Sequence, residues 1–163
     1  MCFCSQGETR PSDGCCVAKR CPKGWTQRDD YCYKFNLNEK DWADAEVACV
    51  AVGGNLASIH SKDHYDFVKG LIKTSAGPNK QTWVGGTDAV KEGVWLWSDG
   101  SKFDFTFWGP RQPDNAGMTA ALIGFYFLGV ANDMPCTQKK SYACGRGRCG
   151  RHTPATEGIS GQM

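Results

Sequence analysis

The sequence predicts an α+β domain, because two helical patterns in its first half precede a series of short strands. The helical patterns carry apolar residues at three- and four-residue spacings: Trp42, Ala45, Cys49 and Val52, then Tyr65, Val68 and Ile72. Asn38 and Ser61 are suitable N-caps for these helices, and Gly53-Gly54 follows the first. We therefore expect two helices packed with a small, mostly antiparallel sheet.

Short strands are predicted where aromatic and branched residues cluster between turn residues. The predicted strands are 31–35, 83–86, 94–97, 122–130 and 139–144. The turn Ser98-Asp99-Gly100 follows one of them, and Gln112-Pro113-Asp114-Asn115 is expected to form a polar loop.

The chain of 163 residues is long enough for one domain with its own core. Residues 1–20 lack hydrophobic periodicity, and we expect a Cys-rich extension there. The domain is predicted to span residues 21–146. The last stretch, 147–163, is polar and basic, and we expect it to be a disordered tail.

Ten cysteines in a chain of this size favour disulfides and therefore an extracellular protein. Zinc is the competing interpretation, but the close pairs, Cys2-x-Cys4 and Cys15-Cys16, lack the spacing of zinc sites. The first eight residues contain no apolar segment of a signal peptide, and an incomplete N-terminus would reconcile the two observations. The longest uncharged apolar run, 120–131, is too short for a transmembrane helix.

The charge balance argues against a nucleic-acid-binding protein, since the formal net charge is only +2. Basic residues do gather late in the chain: Lys139, Lys140, Arg146, Arg148 and Arg151. We expect them to form a solvated surface and tail, with binding to anionic glycans or membranes as the alternative.

No catalytic motif is found. His60 and His64 have the spacing of a helical zinc pair, but the accompanying glutamate is absent and His60 precedes the expected cap Ser61. An ordinary capped helix start explains them better. The sequence also lacks a nucleophile elbow, a phosphate-binding loop and a dinucleotide fingerprint, so we do not expect an enzyme.

Several motifs in a fixed order carry a family resemblance. They are Cys21-Pro22-Lys23-Gly24-Trp25, Gly54-Asn55-Leu56-Ala57-Ser58, Trp83-Val84-Gly85-Gly86, Trp95-Leu96-Trp97-Ser98-Asp99-Gly100, Gln112-Pro113-Asp114-Asn115 and Asn132-Asp133-Met134-Pro135-Cys136. Together with Cys32, Cys49 and Cys144, they make residues 21–144 resemble a C-type lectin-like domain. Within that family, the chain looks most like small soluble galactose-type fish lectins and type II antifreeze proteins.

The resemblance implies two disulfides, Cys21–Cys32 and Cys49–Cys144. It also places Leu122 where the family has a cysteine that would pair with Cys136. We therefore expect Cys136 to be a buried free thiol or to pair with a tail cysteine such as Cys149. The cysteines outside the two implied pairs permit three further bridges or a disulfide-linked oligomer: Cys2, Cys4, Cys15, Cys16, Cys136 and Cys149.

The resemblance further implies a calcium ion that also coordinates sugar hydroxyls. Its ligands would be Gln112, Asp114, Asn132 and Asp133, with a cis peptide bond before Pro113. The Gln-Pro-Asp order resembles galactose-type rather than mannose-type sites. The family's next ligand, a glutamate, is replaced by Ala120. We therefore expect calcium binding to be weak or lost.

An accessory calcium site of some family members would use Asp88, Glu92 and Asn115 here, and it is depleted because Ala120 and Ala121 replace other ligands.

The expected function is carbohydrate binding, with a galactose-containing glycan as the partner. Because fold does not fix function, other functions stay open. They are binding of a protein partner, ice binding of the type II antifreeze kind, and a chain with no function.

Overall fold

The computed structural model describes residues 20–114, 120–125 and 131–148, with the main chain alone at 120–122, 124–125 and 131–132. The predictions for residues 1–19 and 149–163, including a pairing with Cys149, therefore lie outside the described residues.

The described chain forms two helices and one sheet, which confirms the α+β prediction. In chain order the elements are β1 Thr26–Arg28, β2 Tyr31–Lys40, α1 Trp42–Ala51, β3 Asn55–Leu56, α2 Lys62–Ala76, β4 Thr82–Thr87, β5 Leu96–Trp97, β6 Ala120–Phe125, β7 Ala131–Pro135 and β8 Lys140–Gly147. The strand order is β1-β2-β8-β4-β6-β7, with β3 on β8 and β5 on β4. Among these pairs only β4 and β8 run parallel, so the sheet is mostly antiparallel as expected.

Helix α1 begins three residues later than the sequence predicts. Asp41, not Asn38, is the N-cap, and its side chain accepts a 2.9 Å hydrogen bond from the N–H of Asp44. The Asn38 prediction is wrong because β2 continues to Lys40, which pairs with Lys140 of β8. Strand pairing thus decides the conformation of a segment that could also have capped a helix.

Helix α2 begins where the sequence predicts. Ser61 is its N-cap and accepts a 3.2 Å hydrogen bond from the N–H of His64. Val68 and Ile72 are buried and Tyr65 is half-buried, so the predicted inner face is confirmed.

The strand predictions differ from the structure in length, and they omit β1, β3 and β7. The predicted strand 94–97 is reduced to Leu96–Trp97, the strand expected at 122 already begins at Ala120, and residues 126–130 lie outside the described residues. Strand β8 extends to Gly147, one residue past the predicted end of the domain. The N–H of Arg148 then donates to the carbonyl of Asp30 over 2.8 Å.

Two buried clusters form the core. One packs helix α2 against the sheet and includes Tyr33, Val68 and Trp97. The other packs helix α1 against the sheet through Ala45 and the fully buried Trp83. The indole N–H of Trp83 donates to the Lys40 carbonyl over 3.1 Å, so this large apolar side chain is buried without losing its hydrogen bond.

Disulfides connect the two ends of the described chain to this core. Cys21 bonds to Cys32 on β2, and Cys49 on α1 bonds to Cys144 on β8. These are the pairs that the resemblance implies. Cys136 is exposed, so the expectation of a buried thiol is wrong; it follows Pro135, the last residue of β7, and lies in a turn.

Within residues 20–114, 120–125 and 131–148, neither helix has the length and apolar character needed to cross a lipid bilayer.

Candidate functional site

The loop before β6 carries the first half of the predicted site. The N–H of Gln112 donates to the Gly109 carbonyl over 3.0 Å, and the Gln112–Pro113 peptide bond is cis, as the resemblance implies. The amide nitrogen Nε2 of Gln112 donates to Oδ2 of Asp114 over 3.1 Å. The two polar side chains that flank Pro113 therefore contact each other.

Strand β7 carries the second half of the site. Asp133 is 3% exposed, and its Oδ1 accepts a 3.0 Å hydrogen bond from the N–H of Asp114. The structure thus brings Gln112, Asp114 and Asp133 together. Asn132 precedes Asp133 on the strand, opposite Gly124, and its role as a ligand stays a prediction because its side chain is not described.

The oxygen atoms around this loop suit a cation only in part. Oε1 of Gln112 is buried and accepts no hydrogen bond from any described residue. Gln112 is connected by hydrogen bonds to Asp114, and Asp114 to Asp133. Hard cations such as calcium prefer amide and carboxylate oxygens of these kinds. Calcium takes six to eight oxygens, however, and Ala120, which pairs with Pro135, has no side-chain oxygen. Water or ligand hydroxyls would have to complete the coordination.

The accessory calcium site predicted around Asp88 is less complete than the loop of Gln112 and Asp114. Oδ2 of the buried Asp88 accepts a 2.9 Å hydrogen bond from the N–H of Gly93, which closes the loop after β4. Oδ1 of Asp88 is buried and has no hydrogen-bond partner among the described residues. Glu92 is exposed, and Asn115 lies outside the described residues. The described part of the chain holds no cluster of three or more His, Cys, Asp or Glu side chains able to bind a metal.

Comparison with known proteins identifies the family. The model of the family "Lectin C-type domain" matches residues 38–146. The chain belongs to the C-type lectin domain family. The galactose-specific lectin nattectin of Thalassophryne nattereri is 45% identical over 127 residues, which cover 77% of this chain and 80% of the relative.

Solved structures of this family superpose well on the chain. The herring type II antifreeze protein is 36% identical with a TM-score of 0.72, covering 78% of this chain and 98% of its own. The C-type lectin CEL-I of Cucumaria echinata is 29% identical with a TM-score of 0.75, covering 78% and 97%.

A second polar cluster in this C-type lectin domain was not predicted from the sequence. Nδ1 of His60 lies 2.8 Å from Oδ1 of Asp104, and its Nε2 lies 3.1 Å from Ser58 Oγ and 3.0 Å from Ser101 Oγ. Each serine hydroxyl donates to one oxygen of Asp99 over 2.5 Å. The hydrogen bond from His60 lowers the pKa of Asp104 below its ordinary value.

The cluster contains the three residue types of a hydrolase triad, Asp, His and Ser, but its serine hydroxyls donate in a different direction. In a triad the serine donates its proton to the histidine, which acts as the base. Here both serine hydroxyls donate to Asp99, and Nε2 of His60 faces their oxygens. The cluster therefore holds Asp99 in place instead of activating a nucleophile.

The two histidines that share a helical zinc spacing have separate partners. Nδ1 of His64 lies 3.2 Å from the hydroxyl of Tyr33, and its Nε2 lies 3.5 Å from Oδ2 of Asp29. Burial raises the pKa of Tyr33, so this hydroxyl keeps its proton for the hydrogen bond to His64. Ser61 caps the helix between the two rings, in agreement with an ordinary helix start.

One of the basic residues late in the chain, Lys140 of β8, lies in the core and not on a solvated surface. Lys140 is buried, donates to Oε1 of Gln81 and lies 5.7 Å from the ring centroid of Trp83. Burial lowers the pKa of its ammonium group. The expectation of a solvated surface is therefore wrong for Lys140, because β8 turns it toward the core. Arg151 lies outside the described residues.

Sequence reasoning also missed the acidic residue that fixes the turn after β5. Glu46 of α1 accepts hydrogen bonds from the N–H of Leu56 over 2.7 Å and from Ser98 Oγ over 3.0 Å. In the sequence, Glu46 is only one charged residue within a predicted helix, and such a charge is usually solvated. Ser98 lies 52 positions after Glu46, so no local pattern reveals this contact.

Proposed function

We propose that this chain is a carbohydrate-binding lectin that takes a galactose-containing glycan at the loop of Gln112 and Asp114. The family supports sugar binding, and the relative nattectin is named as galactose-specific. The observation that carries the proposal is the contact of Gln112 with Asp114 and of Asp114 with Asp133, since sugar hydroxyls are recognised by paired planar amide and carboxylate groups.

The chemistry of the loop suits a hydroxylated ligand. The buried Oε1 of Gln112 is an acceptor without a donor among the described residues, and a sugar hydroxyl or a cation can satisfy it. Asp114 is exposed, and a carboxylate has about four acceptor positions, so Asp114 can accept from a sugar hydroxyl as well as from Gln112.

Calcium, when bound, would be held by Gln112, Asp114, Asn132 and Asp133, and it would supply a positive charge to which sugar hydroxyls can coordinate. The replacement of the expected glutamate by Ala120 removes one charged ligand. We propose weak calcium binding that is strengthened by the sugar, because each supplies what the other's site lacks.

We further propose that the protein acts outside the cell as a binding module rather than as an enzyme. The disulfides Cys21–Cys32 and Cys49–Cys144 support an oxidising compartment. We also propose that the other cysteines can link copies of the chain into a disulfide-bonded oligomer. The proposed function requires neither a nucleic-acid partner nor an accessory metal at Asp88.

Calorimetric titration tests the proposed function. Galactose is titrated into the protein with calcium, with EDTA, and with mannose in place of galactose. We expect galactose to bind more tightly than mannose and EDTA to weaken binding. A protein that binds neither sugar under any of these conditions would not be a lectin of this kind.

Ice binding is the second candidate, supported by the 36% identity and the TM-score of 0.72 with the herring type II antifreeze protein. Thermal hysteresis of the purified protein tests it. A measurable gap between melting and freezing points, without any sugar binding, would favour ice over glycans.

A further inference from the structure

A cavity of about 500 Å³ lies between β2, β3, β8 and the turn after β5. It is lined by Tyr31, Asn55, Asp99, Ser101 and Arg146, together with glycines. None of these residues belongs to the loop of Gln112 and Asp114. The cavity lies on the β2–β8 half of the sheet, whereas Asp133 lies on β7, the strand at the opposite edge.

Arg146 gives the cavity a positive group. It pairs with Cys32 in the β2–β8 ladder, and its side chain extends toward the end of α1, where a Cβ atom on Gly53 would lie 3.0 Å from its Nη1. Among the described residues its guanidinium forms neither an ion pair nor a hydrogen bond. A half-buried guanidinium in a cavity is suited to bind a carboxylate through two parallel hydrogen bonds.

Asp99 gives the cavity an oriented acceptor. Its two oxygens accept from Ser58 Oγ and Ser101 Oγ, and its Oδ1 also accepts from the N–H of Ser101 over 2.9 Å. A carboxylate has about four acceptor positions, so Asp99 can still accept from a ligand. Because Asp99 repels a bare anion, the cavity favours a ligand whose anionic group is accompanied by hydroxyl donors.

Tyr31 adds an aromatic ring to the same wall. Burial raises the pKa of its hydroxyl, and Asp99 and Asp104 raise it further, so the phenol stays neutral. Five of the lining residues are glycines, so much of the remaining wall is main chain. The volume is within the range of cavities that bind small molecules.

We propose that this cavity is a second ligand site, and that it binds the carboxylate-bearing sugar residue of an acidic glycan, a uronic acid. Arg146 pairs with the carboxylate, Asp99 accepts from ring hydroxyls, and Tyr31 contacts the apolar face of the ring. This site needs no cation, because the positive charge comes from Arg146.

Titration of the full chain with D-glucuronate tests the proposal, with binding followed by calorimetry and by the side-chain Nε–Hε signal of Arg146 in ¹H–¹⁵N spectra. D-Glucose provides the ring without the carboxylate, and acetate provides the carboxylate without the hydroxyls. We expect glucuronate to bind about tenfold or more tightly than either, as the loss of a charge-assisted hydrogen bond predicts. We expect the Arg146 signal to shift with glucuronate and not with glucose.

Matched variants separate this site from the loop of Gln112. Arg146→Gln should weaken glucuronate binding about tenfold or more, whereas Arg28→Gln, which removes the same charge outside the cavity, should leave it unchanged. EDTA and Asp133→Asn should also leave it unchanged. The proposal is overturned if glucuronate binds no better than acetate, if the Arg146 signal does not respond, or if EDTA abolishes binding. None of these results decides the outcome of the galactose titration, which tests the proposed function separately.

Discussion

The main-chain N–H of Asp114 donates to the buried Oδ1 of Asp133 over 3.0 Å, across 19 positions of the chain. This bond attaches the loop that contains Gln112 to strand β7. Because Gln112 Nε2 in turn donates to Asp114, one buried carboxylate fixes the position of both side chains that would meet a sugar. The geometry of the loop therefore depends on a residue far away in sequence.

The first prediction separates the structural role of Asp133 from its charge. Asp133→Ala removes the acceptor for Asp114 and should lower the free energy of unfolding by about 1.5–3 kcal/mol, the usual contribution of a hydrogen bond to a charged group. Asp133→Asn keeps an oxygen acceptor and should cost less stability, yet it removes a charged oxygen and should weaken calcium binding.

Urea denaturation and calcium titration of both variants check this prediction. Equal losses of stability in Asp133→Ala and Asp133→Asn would mean that the hydrogen bond to Asp114 contributes little. Unchanged calcium affinity in Asp133→Asn would remove Asp133 from the ligand set.

The second prediction restores the missing ligand. Ala120→Glu places a carboxylate six positions after Asp114, at the start of β6, and should increase calcium affinity and make galactose binding more sensitive to EDTA. Ala120→Gln, which adds the same length without the charge, is the matched control and should give a smaller gain. Calcium affinity that does not differ between the parent and Ala120→Glu would show that position 120 does not face the ion.

The third prediction compares the two disulfides. The bond between Cys49 and Cys144 closes a separation of 95 residues, and that between Cys21 and Cys32 closes one of 11. In the chain-entropy model, these stabilise by about 4–5 and about 3 kcal/mol, respectively. Replacing Cys49 and Cys144 together by alanine should therefore lower the Tm more than replacing Cys21 and Cys32. A larger fall in Tm on replacing Cys21 and Cys32, measured by thermal unfolding, would contradict the model.

The fourth prediction concerns the acid side of the stability curve. The hydrogen bond from His60 holds the pKa of Asp104 below its ordinary value of 3.8. The resulting stabilisation is fully present above that ordinary value and is lost as the pH falls through the lowered one. Asp104→Asn should lower the Tm at neutral pH and leave it close to that of the parent near pH 2. A constant difference at every pH would show that the ionisation of Asp104 is not the cause.

The fold could be predicted from the sequence wherever a local pattern determines the structure. Ser61 and the buried face of α2 are examples, since capping and helical periodicity act within a few residues. The start of α1 could not be predicted in this way. Lys40 pairs with β8 across 100 positions of the chain, and this contact overrides the local preference of Asn38 to cap a helix.

The candidate site was predictable only through the family resemblance. Motif order points to Gln112, Asp114 and Asp133, but the buried, unsatisfied Oε1 of Gln112 depends on packing that no local pattern encodes. The cavity with Arg146 and Asp99 could not be predicted from the sequence at all, because it joins the end of β8 to a turn nearly fifty positions earlier. In the sequence, Arg146 is one of several basic residues near the end of the chain.

The most direct test of the proposed function exchanges the two side chains that flank Pro113. The double variant Gln112→Glu with Asp114→Asn keeps the net charge and the contact between the side chains, but it reverses which of them carries the amide donor. Calorimetry with galactose and with mannose should show a preference for galactose in the parent and a preference for mannose in the double variant. An unchanged ratio of the two affinities would contradict recognition of the sugar by Gln112 and Asp114.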